Sequence, residues 1–160
     1  MLKRFLFVVA LVGLTAPAFS QGNPRGEAEA TFAGKSVSIE YGRPSLKGRD
    51  MLAQASVGQS WRLGADAATS LVTEADLAFG AVTVPKGDYI LTATKVGASE
   101  WVLNVLGKDD REKVADVPLT PGKSEEAVEM FTIGLKGEGN EGRVQLTWGN
   151  TALKATFTAR

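Results

Sequence analysis

The sequence predicts an all-β domain: an antiparallel two-sheet sandwich of about eight or nine strands, with a closed β-barrel as the alternative. Apolar and polar residues alternate with a period of two over many short segments, whereas the ~3.6-residue period of an amphipathic helix is almost absent. Turns rich in glycine and proline separate these segments. Such alternation is typical of sheets with one face on the core and the other in water.

The first predicted strand begins near Ala30 and ends near Gly42. Its apolar positions alternate with serine and glutamate residues and are Val37, Ile39 and Tyr41. Pro44 ends the strand, because proline has no N–H for the ladder and restricts the residue before it.

The next stretch has no such alternation. Ser45–Ser60 shows no period of two, and Asp50 is placed to cap one or two helical turns over Met51–Ala55. Extended structure is predicted to resume within Trp61–Val84, with Gly80 as a bend or bulge.

Turn signals bound the strands that follow. Pro85–Asp88 and Gly97–Ser99 predict turns before two strands, Tyr89–Thr94 and Trp101–Leu106. The alternation within Val128–Leu135 predicts a further strand.

The C-terminal part also contains three predicted loops and one tight turn. The loops are Lys108–Lys113, Pro118–Lys123 and Gly137–Gly142. Gly149–Asn150 predicts a two-residue hairpin turn between the last two strands. On these strands, Trp148 is predicted to pack inward with Leu146 and Phe157.

Residues 1–20 have the organisation of a secretory signal peptide. Lys3 and Arg4 give a basic start, Phe5–Leu14 is apolar, and small residues precede Gln21. The apolar run is shorter than the ~20 residues that cross a bilayer, so we expect no membrane span after its removal. The predicted location is periplasmic or secreted.

Beyond this segment, composition predicts a flexible leader over residues 21–29 and a single β-sandwich domain over residues 30–160. The full chain has 18 basic and 18 acidic residues, and removal of Lys3 and Arg4 leaves a small acidic excess. Nucleic acids and anionic membranes both require a basic face, so neither is expected as a partner.

The chain contains neither cysteine nor histidine. It therefore cannot carry a Ser-His-Asp triad, a cysteine nucleophile or a zinc site made of His and Cys. Any metal would be a hard cation held by oxygen. The acidic stretches Asp109–Glu112 and Glu138–Glu141 lack the spacing of a calcium loop. We expect no cofactor and no metal.

The candidate ligand-binding residues concentrate in Glu40–Thr69, where charges and aromatic rings lie between apolar segments. They are Glu40, Tyr41, Arg43, Lys47, Arg49, Asp50, Trp61, Arg62 and Asp66, with Asn104 added from a later strand. The basic side chains would converge on an anionic ligand. Alternatively, they would pair with the three carboxylates in an ion-pair network that only holds the segment in place. No residue is assigned a catalytic role.

Asn104 and the aromatic residues each allow two interpretations. Asn104 would fasten the loop or bind a ligand, since a buried amide needs hydrogen-bond partners. The aromatic rings would pack in the core or form a carbohydrate-stacking platform, and they are Tyr41, Trp61, Tyr89, Trp101 and Trp148.

Six blocks of sequence, in this order, resemble a bacterial exported family catalogued as domain of unknown function 2911. The blocks are Tyr41–Asp50 (YGRPSLKGRD), Trp61–Thr69 (WRLGADAAT), Pro85–Tyr89 (PKGDY), Trp101–Val105 (WVLNV), Glu129–Ile133 (EMFTI) and Leu146–Thr151 (LTWGNT). The first two are the most specific, because they are not general strand or turn patterns. After WVLNV this chain is short and charged, whereas relatives often carry a Trp/Tyr-rich insert there. The resemblance implies a secreted or periplasmic β-rich domain, and it implies no activity.

Together these observations favour an exported, non-catalytic β-domain. Residues 40–69 would bind a small or extended ligand: a small molecule, a glycan or an envelope component. One alternative is a carboxylate-based hydrolase or lyase that uses Glu40 with Asp50 or Asp66. The other is a purely structural envelope or stress protein.

Overall fold

The computed structural model describes residues 22–160 and contains ten β-strands in that part of the chain. The strands are β1 (Arg25–Phe32), β2 (Lys35–Gly42), β3 (Ser60–Trp61), β4 (Thr69–Thr73), β5 (Leu77–Phe79), β6 (Val82–Val84), β7 (Gly87–Lys95), β8 (Trp101–Gly107), β9 (Lys113–Glu138) and β10 (Glu141–Ala159). The all-β fold class predicted from the alternating pattern is confirmed. Within residues 22–160 no helix has the length and apolar character needed to cross a membrane. The predicted signal segment, residues 1–20, lies outside the described residues.

The strands form one antiparallel sheet that is not closed into a barrel. Its order is β1–β2–β4–β7–β8–β9–β10–β5–β6, and β3 pairs with β7 beside this path. The barrel alternative is therefore wrong. The short strands β3, β5 and β6 bring the number of strands to ten, above the predicted eight or nine.

Two aromatic contacts join one half of this sheet, which contains β1 and β2, to the other half, which contains β9 and β10. The ring of Phe32 on β1 meets that of Phe157 on β10 at a centroid distance of 5.0 Å. Tyr41 on β2 meets Phe131 on β9 at 5.6 Å. The inward-facing side chains of both halves form one buried apolar cluster. The two halves enclose the core between them, as the layers of a sandwich do.

β1 begins inside the segment predicted to be a flexible leader, residues 21–29. Residues 25–29 instead pair with β2 along their whole length, and Ala28 lies buried. The leader prediction is wrong for these residues. The sequence did not predict this strand because the small residues of RGEAEATF alternate only weakly in hydrophobicity. Pairing with β2 decides their conformation instead.

β9 contains the stretch Pro118–Lys123, which was predicted to be a loop. Residues up to Leu119 pair with β8, and residues from Thr120 onward pair with β10. Pro118 and Pro121 therefore lie where β9 changes partner, and a missing N–H costs little at such a position. The loop prediction is wrong because composition alone does not reveal this change of partner.

The two other predicted loops are shorter than expected. Lys113, at the end of the predicted charge run, already begins β9. In the stretch Gly137–Gly142 the outer residues pair across the strands, which leaves Gly139–Asn140 as the turn between β9 and β10.

β10 folds back on itself. A fully extended strand of 19 residues would span ~60 Å, yet the N–H of Ala159 donates to the carbonyl of Asn140 at 2.7 Å. Gly149, near the midpoint, has a φ of 61°, which is a left-handed conformation that tight turns use. The chain therefore reverses here, as the hairpin predicted at Gly149–Asn150 requires.

Residues 43–68 connect β2 to β4 and contain only the two-residue strand β3. We call them the connecting segment. Asp50 caps a turn within it, as predicted. Its carboxylate accepts the N–H of Ala53 at 3.0 Å, and its carbonyl accepts that of Gln54 at 3.1 Å. The turn does not continue into a helix.

Candidate functional site

The connecting segment is tied to β9 by main-chain hydrogen bonds. The N–H of Phe131 donates to the carbonyl of Pro44 at 2.9 Å, and the N–H of Leu46 donates to that of Glu129 at 3.0 Å. Ser45, between them, forms an isolated bridge to the same strand. This part of the segment therefore lies along β9 and does not project freely into solvent.

Arg43 is half-buried and reinforces this attachment. Its Nε donates to the carbonyl of Phe131 at 3.3 Å, and its Nη2 donates to Oγ1 of Thr132 at 3.2 Å. The guanidinium beside Pro44 thus holds the connecting segment against β9.

Other predicted site residues have separate partners. Glu40 forms an exposed ion pair with Arg25 at 4.0 Å. Nη1 of Arg62 donates to the main-chain carbonyl of Asp66 at 3.1 Å. The carboxylate of Asp66 accepts the N–H of Asn23 at 2.8 Å. These contacts tie the chain together at several separate points.

Lys47 and Arg49 are exposed, and the carboxylate of Glu129 accepts the N–H of Lys47 at 3.0 Å. No ion pair within residues 22–160 joins two of the predicted site residues. The predicted ion-pair network is therefore wrong, because bonds to the main chain hold the segment instead. Residues 40–69 also line neither of the two best-formed cavities of the described chain.

Two glycines give the most distinctive sequence blocks a packing role. A Cβ on Gly42 would overlap the carbonyl oxygen of Ala65, and one on Gly64 would lie 2.8 Å from the carbonyl oxygen of Gly42. The YGRP and WRLGA blocks therefore touch backbone to backbone. Nearby, Oγ1 of buried Thr69 donates to the carbonyl of buried Leu63 at 2.6 Å.

The predicted aromatic platform is part of the core. Four of its five rings are buried, namely Tyr41, Tyr89, Trp101 and Trp148. The hydroxyl of Tyr41 donates to the carbonyl of Ile133 at 3.2 Å, which leaves this ring no role at the surface.

Trp61 is half-buried and stacks on Trp148 with a centroid distance of 5.3 Å. Both rings also contact Phe131. The indole N–H of Trp148 donates to the carbonyl of Glu129 at 3.1 Å. Trp148 thus packs inward, as its alternation with polar neighbours predicted.

Asn104 joins three neighbouring strands on the face of the sheet that points away from the core. Its Oδ1 accepts the hydroxyl of Thr94 at 2.7 Å, and its Nδ2 donates to Oδ1 of Asp116 at 2.7 Å. Asp116 also pairs with Lys113 at 2.9 Å. The hydrogen bond from Lys113, with a smaller contribution from Asn104, lowers the pKa of Asp116. These bonds give Asn104 a structural role and do not link it to the connecting segment.

A different part of the molecule forms the larger cavity. β9, β10 and β5 line an open cavity with a volume of about 560 Å³, which we call the outer pocket. Ala78 and Gly80, which have only a methyl group and a hydrogen at this position, leave room in its wall. Its polar lining consists of Lys136, Glu138, Glu141, Arg143, Thr156 and Thr158.

The charged side chains of the outer pocket stand in two rows across the strands. Lys136 lies opposite Arg143, and Glu138 lies opposite Glu141. Each strand thus carries one cation and one anion two residues apart, which puts them on the same face. A basic row and an acidic row therefore lie side by side.

β10 folds back near Gly149, and its second arm, the residues that follow this turn, adds a threonine hydroxyl to each row. A Cβ on Gly142 would overlap the ring of Phe157, so these two residues are neighbours across the two arms. The same register sets Thr156 beside Arg143 in the basic row and Thr158 in the acidic row.

Arg143 carries an unused hydrogen-bond donor. Its Nε is buried and has no hydrogen-bond partner among residues 22–160. Buried polar groups in proteins are rarely left without a partner. With Lys136 directly opposite, like charges also repel across the strands. An anion between the two cations in the outer pocket would reduce this repulsion.

Within residues 22–160, no three acidic side chains converge as a metal site would require. The outer pocket instead offers charges and hydroxyl groups, which can bind a ligand. Lys136 and Arg143 were not among the predicted site residues because they lie outside the most distinctive blocks. A signal was present, since both flank the Gly139–Asn140 turn at symmetrical positions.

Comparison with curated proteins and with solved structures gave no match. Residues 23–157 match the family described as protein of unknown function (DUF2911). This range includes all six blocks on which the resemblance rests. The chain therefore belongs to the DUF2911 family.

Proposed function

We propose that this protein is an exported, non-catalytic binding domain that holds a small carboxylate ligand in the outer pocket. The observation that carries the proposal is that Arg143 and Lys136 lie opposite each other in the pocket lining, and neither forms an ion pair among residues 22–160. An arginine guanidinium matches a carboxylate in geometry and charge. The carboxylate would lie between Arg143 and Lys136 and accept hydrogen bonds from the outer N–H groups of the guanidinium.

The charged lining of the outer pocket is balanced, with two cations and two anions. Glu138 and Glu141 lie in the row next to the two cations. A doubly charged phosphate would be attracted more strongly by the two cations but also repelled more strongly by this acidic row than a carboxylate would be. The hydroxyl of Thr156 supplies a further neutral donor beside Arg143.

Two features favour the outer pocket over residues 40–69 as the binding site. Arg43 and Arg62 already donate to protein oxygens. The glycine contact between Gly42 and Gly64 accounts for the distinctive blocks by packing. We therefore propose that the connecting segment serves stability and that the ligand binds elsewhere.

A hydrolase or lyase that uses Glu40, Asp50 or Asp66 has less support. Each of these carboxylates contacts a different partner: Arg25, Ala53 and Asn23 respectively. Catalysis by two carboxylates needs both groups across one cleft. A purely structural role remains the competing proposal, and a binding measurement separates the two.

The test is a titration of the protein with acetate at low salt, followed through the backbone amide resonances. Acetate is expected to shift amides of β9 and β10 around the outer pocket. Arg143→Gln should weaken binding by about tenfold or more, since a charge-assisted hydrogen bond is lost. Lys136→Gln should weaken it less, because lysine acts as a point charge.

Matched controls come from the connecting segment, where Lys47 and Arg49 are exposed cations. Lys47→Gln and Arg49→Gln change the net charge by the same amount and should leave acetate binding unchanged. If these two variants lose binding while Arg143→Gln retains it, the site lies in the connecting segment and the proposal is wrong. If acetate shifts no resonance, the structural alternative gains the support.

A further inference from the structure

We infer that the ligand of the outer pocket is a zwitterion, a small molecule that carries both a carboxylate and a protonated amine, as an amino acid or short peptide does. This inference rests on the proposed function and extends it. The carboxylate would lie on the basic row, Lys136 and Arg143, and the amine on the acidic row, Glu138 and Glu141.

The spacing of the rows suits such a ligand. Lys136 and Glu138 lie two residues apart on β9, and Arg143 and Glu141 lie two residues apart on β10. Residues two apart on a strand share a face and are separated by ~7 Å along it. The sign of the charge therefore reverses over the length of a small molecule.

The charges of the two rows do not neutralise one another. Ion pairs within residues 22–160 join Arg25 to Glu40, Lys108 to Asp88 and Lys113 to Asp116, and none involves the outer pocket. Instead, like charges lie directly opposite in both rows. Opposed like charges destabilise a sheet, so each row gains from a counter-charge.

A zwitterion supplies both counter-charges at once. A simple anion relieves the basic row but is repelled by Glu138 and Glu141, and a simple cation has the reverse difficulty. Thr158 adds a hydroxyl that can accept a hydrogen bond from the ammonium group of such a ligand. The pocket thus discriminates by the presence of both charges on one ligand.

The experiment compares three probes by the same amide-shift titration: acetate, ethylammonium and β-alanine. β-Alanine carries both charges, and it should bind about tenfold more tightly than acetate, equivalent to ~1.4 kcal/mol from one added charged contact. Ethylammonium should shift the amides of Glu138 and Glu141 most strongly.

The double variant Glu138→Gln/Glu141→Gln should reduce the affinity for β-alanine to that for acetate. Its affinity for acetate should stay the same or rise, because the repulsive row is gone. A matched control is Glu125→Gln/Glu126→Gln, which removes two exposed carboxylates of β9 outside the pocket lining. This control should bind β-alanine as the parent does.

The outcomes separate the inference from the proposed function. If acetate binds at Arg143 but β-alanine binds no more tightly, the ligand is a simple carboxylate and the inference is overturned. An unchanged preference for β-alanine in Glu138→Gln/Glu141→Gln would overturn it as well. If neither probe shifts the pocket, both the inference and the proposed function fail.

Discussion

At the scale of single residues, Arg43 and Arg62 differ in how far their guanidinium groups are bound to the fold. Arg43 is half-buried and donates to two groups of β9, whereas Arg62 is exposed and donates to one nearby carbonyl. Proximity to Pro44 or Trp61 in the sequence does not reveal this difference. It arises because β9 lies beside the connecting segment.

Arg43→Ala is therefore expected to lower the free energy of unfolding by about 1–2 kcal/mol, below the upper range for charge-assisted bonds because the side chain is only half-buried. Arg62→Ala should change it by less than ~0.5 kcal/mol. Urea unfolding of both variants beside the parent gives the comparison. Equal losses of stability, or a larger loss for Arg62→Ala, would contradict the assignment.

Asp116 predicts a pH dependence of stability. Hydrogen bonding to Lys113 lowers its pKa in the folded protein below the ordinary value of 3.8. A carboxyl group whose pKa is lowered on folding contributes stability at any pH above its pKa in the unfolded chain. That contribution is lost as the pH falls through its pKa in the folded protein. The effect is modest because 40% of the Asp116 side chain is exposed.

Asp116→Asn keeps an oxygen for the Asn104 bond but removes the charge that pairs with Lys113. We expect the parent to be more stable than the variant near neutral pH, and the difference to shrink as the pH falls below about 4. Urea midpoints measured from about pH 6 to pH 3 follow this change. A difference that stays constant over the range would rule out the titration of Asp116 as its cause.

At the scale of structural elements, the close approach of Gly42 and Gly64 joins the end of β2 to the chain that enters β4. The neighbouring atoms are main-chain atoms, which cannot move aside as a flexible side chain would. This contact explains the glycines of both distinctive blocks without a ligand.

Gly42→Ala is expected to destabilise the fold by ~1–3 kcal/mol or more, because the added methyl overlaps the main chain of Ala65. Gly134→Ala is the control, since Gly134 lies on β9 with open space around its Cβ position. It should change stability by less than ~0.5 kcal/mol or raise it slightly. Thermal unfolding of the two variants measures this, and similar midpoints would contradict the packing role.

The sequence predicted those elements whose local pattern agrees with their tertiary surroundings. Trp148 alternates with polar residues and packs inward, and Gly149 has the positive φ expected of a turn. The sequence pattern gave wrong predictions where pairing with a neighbouring strand overrides the local composition. Residues 25–29 are held extended by β2, and Pro118–Lys123 remains in β9 because its prolines lie at a change of strand partner.

At the scale of the whole molecule, the outer pocket could not be predicted because it depends on topology. Lys136 and Arg143 become neighbours only through the turn between β9 and β10, and Thr156 joins them only because β10 folds back. The predicted cluster in residues 40–69 shows the reverse case. Its charges are close in sequence, but the fold distributes them among separate partners.

Export is a prediction for the whole chain. We expect the mature protein to begin at or near Gln21 and to be found outside the cytoplasm, because residues 1–20 have the organisation of a signal peptide. The described fold begins soon afterwards, since Asn23 already donates to Asp66. Mass spectrometry of the protein from its native host determines the first residue. An intact Met1–Ser20 segment would contradict export by this route.

The central claim is that a ligand carboxylate binds the guanidinium of Arg143 in the outer pocket. The most direct measurement is the side-chain Nε–H resonance of Arg143, assigned by its loss in Arg143→Gln and followed while acetate is added. We expect a saturable shift of this resonance as the guanidinium binds the carboxylate, with no matching shift for Arg43, whose Nε already donates to Phe131. A resonance of Arg143 that does not respond, or a shift at Arg43 in its place, would contradict it.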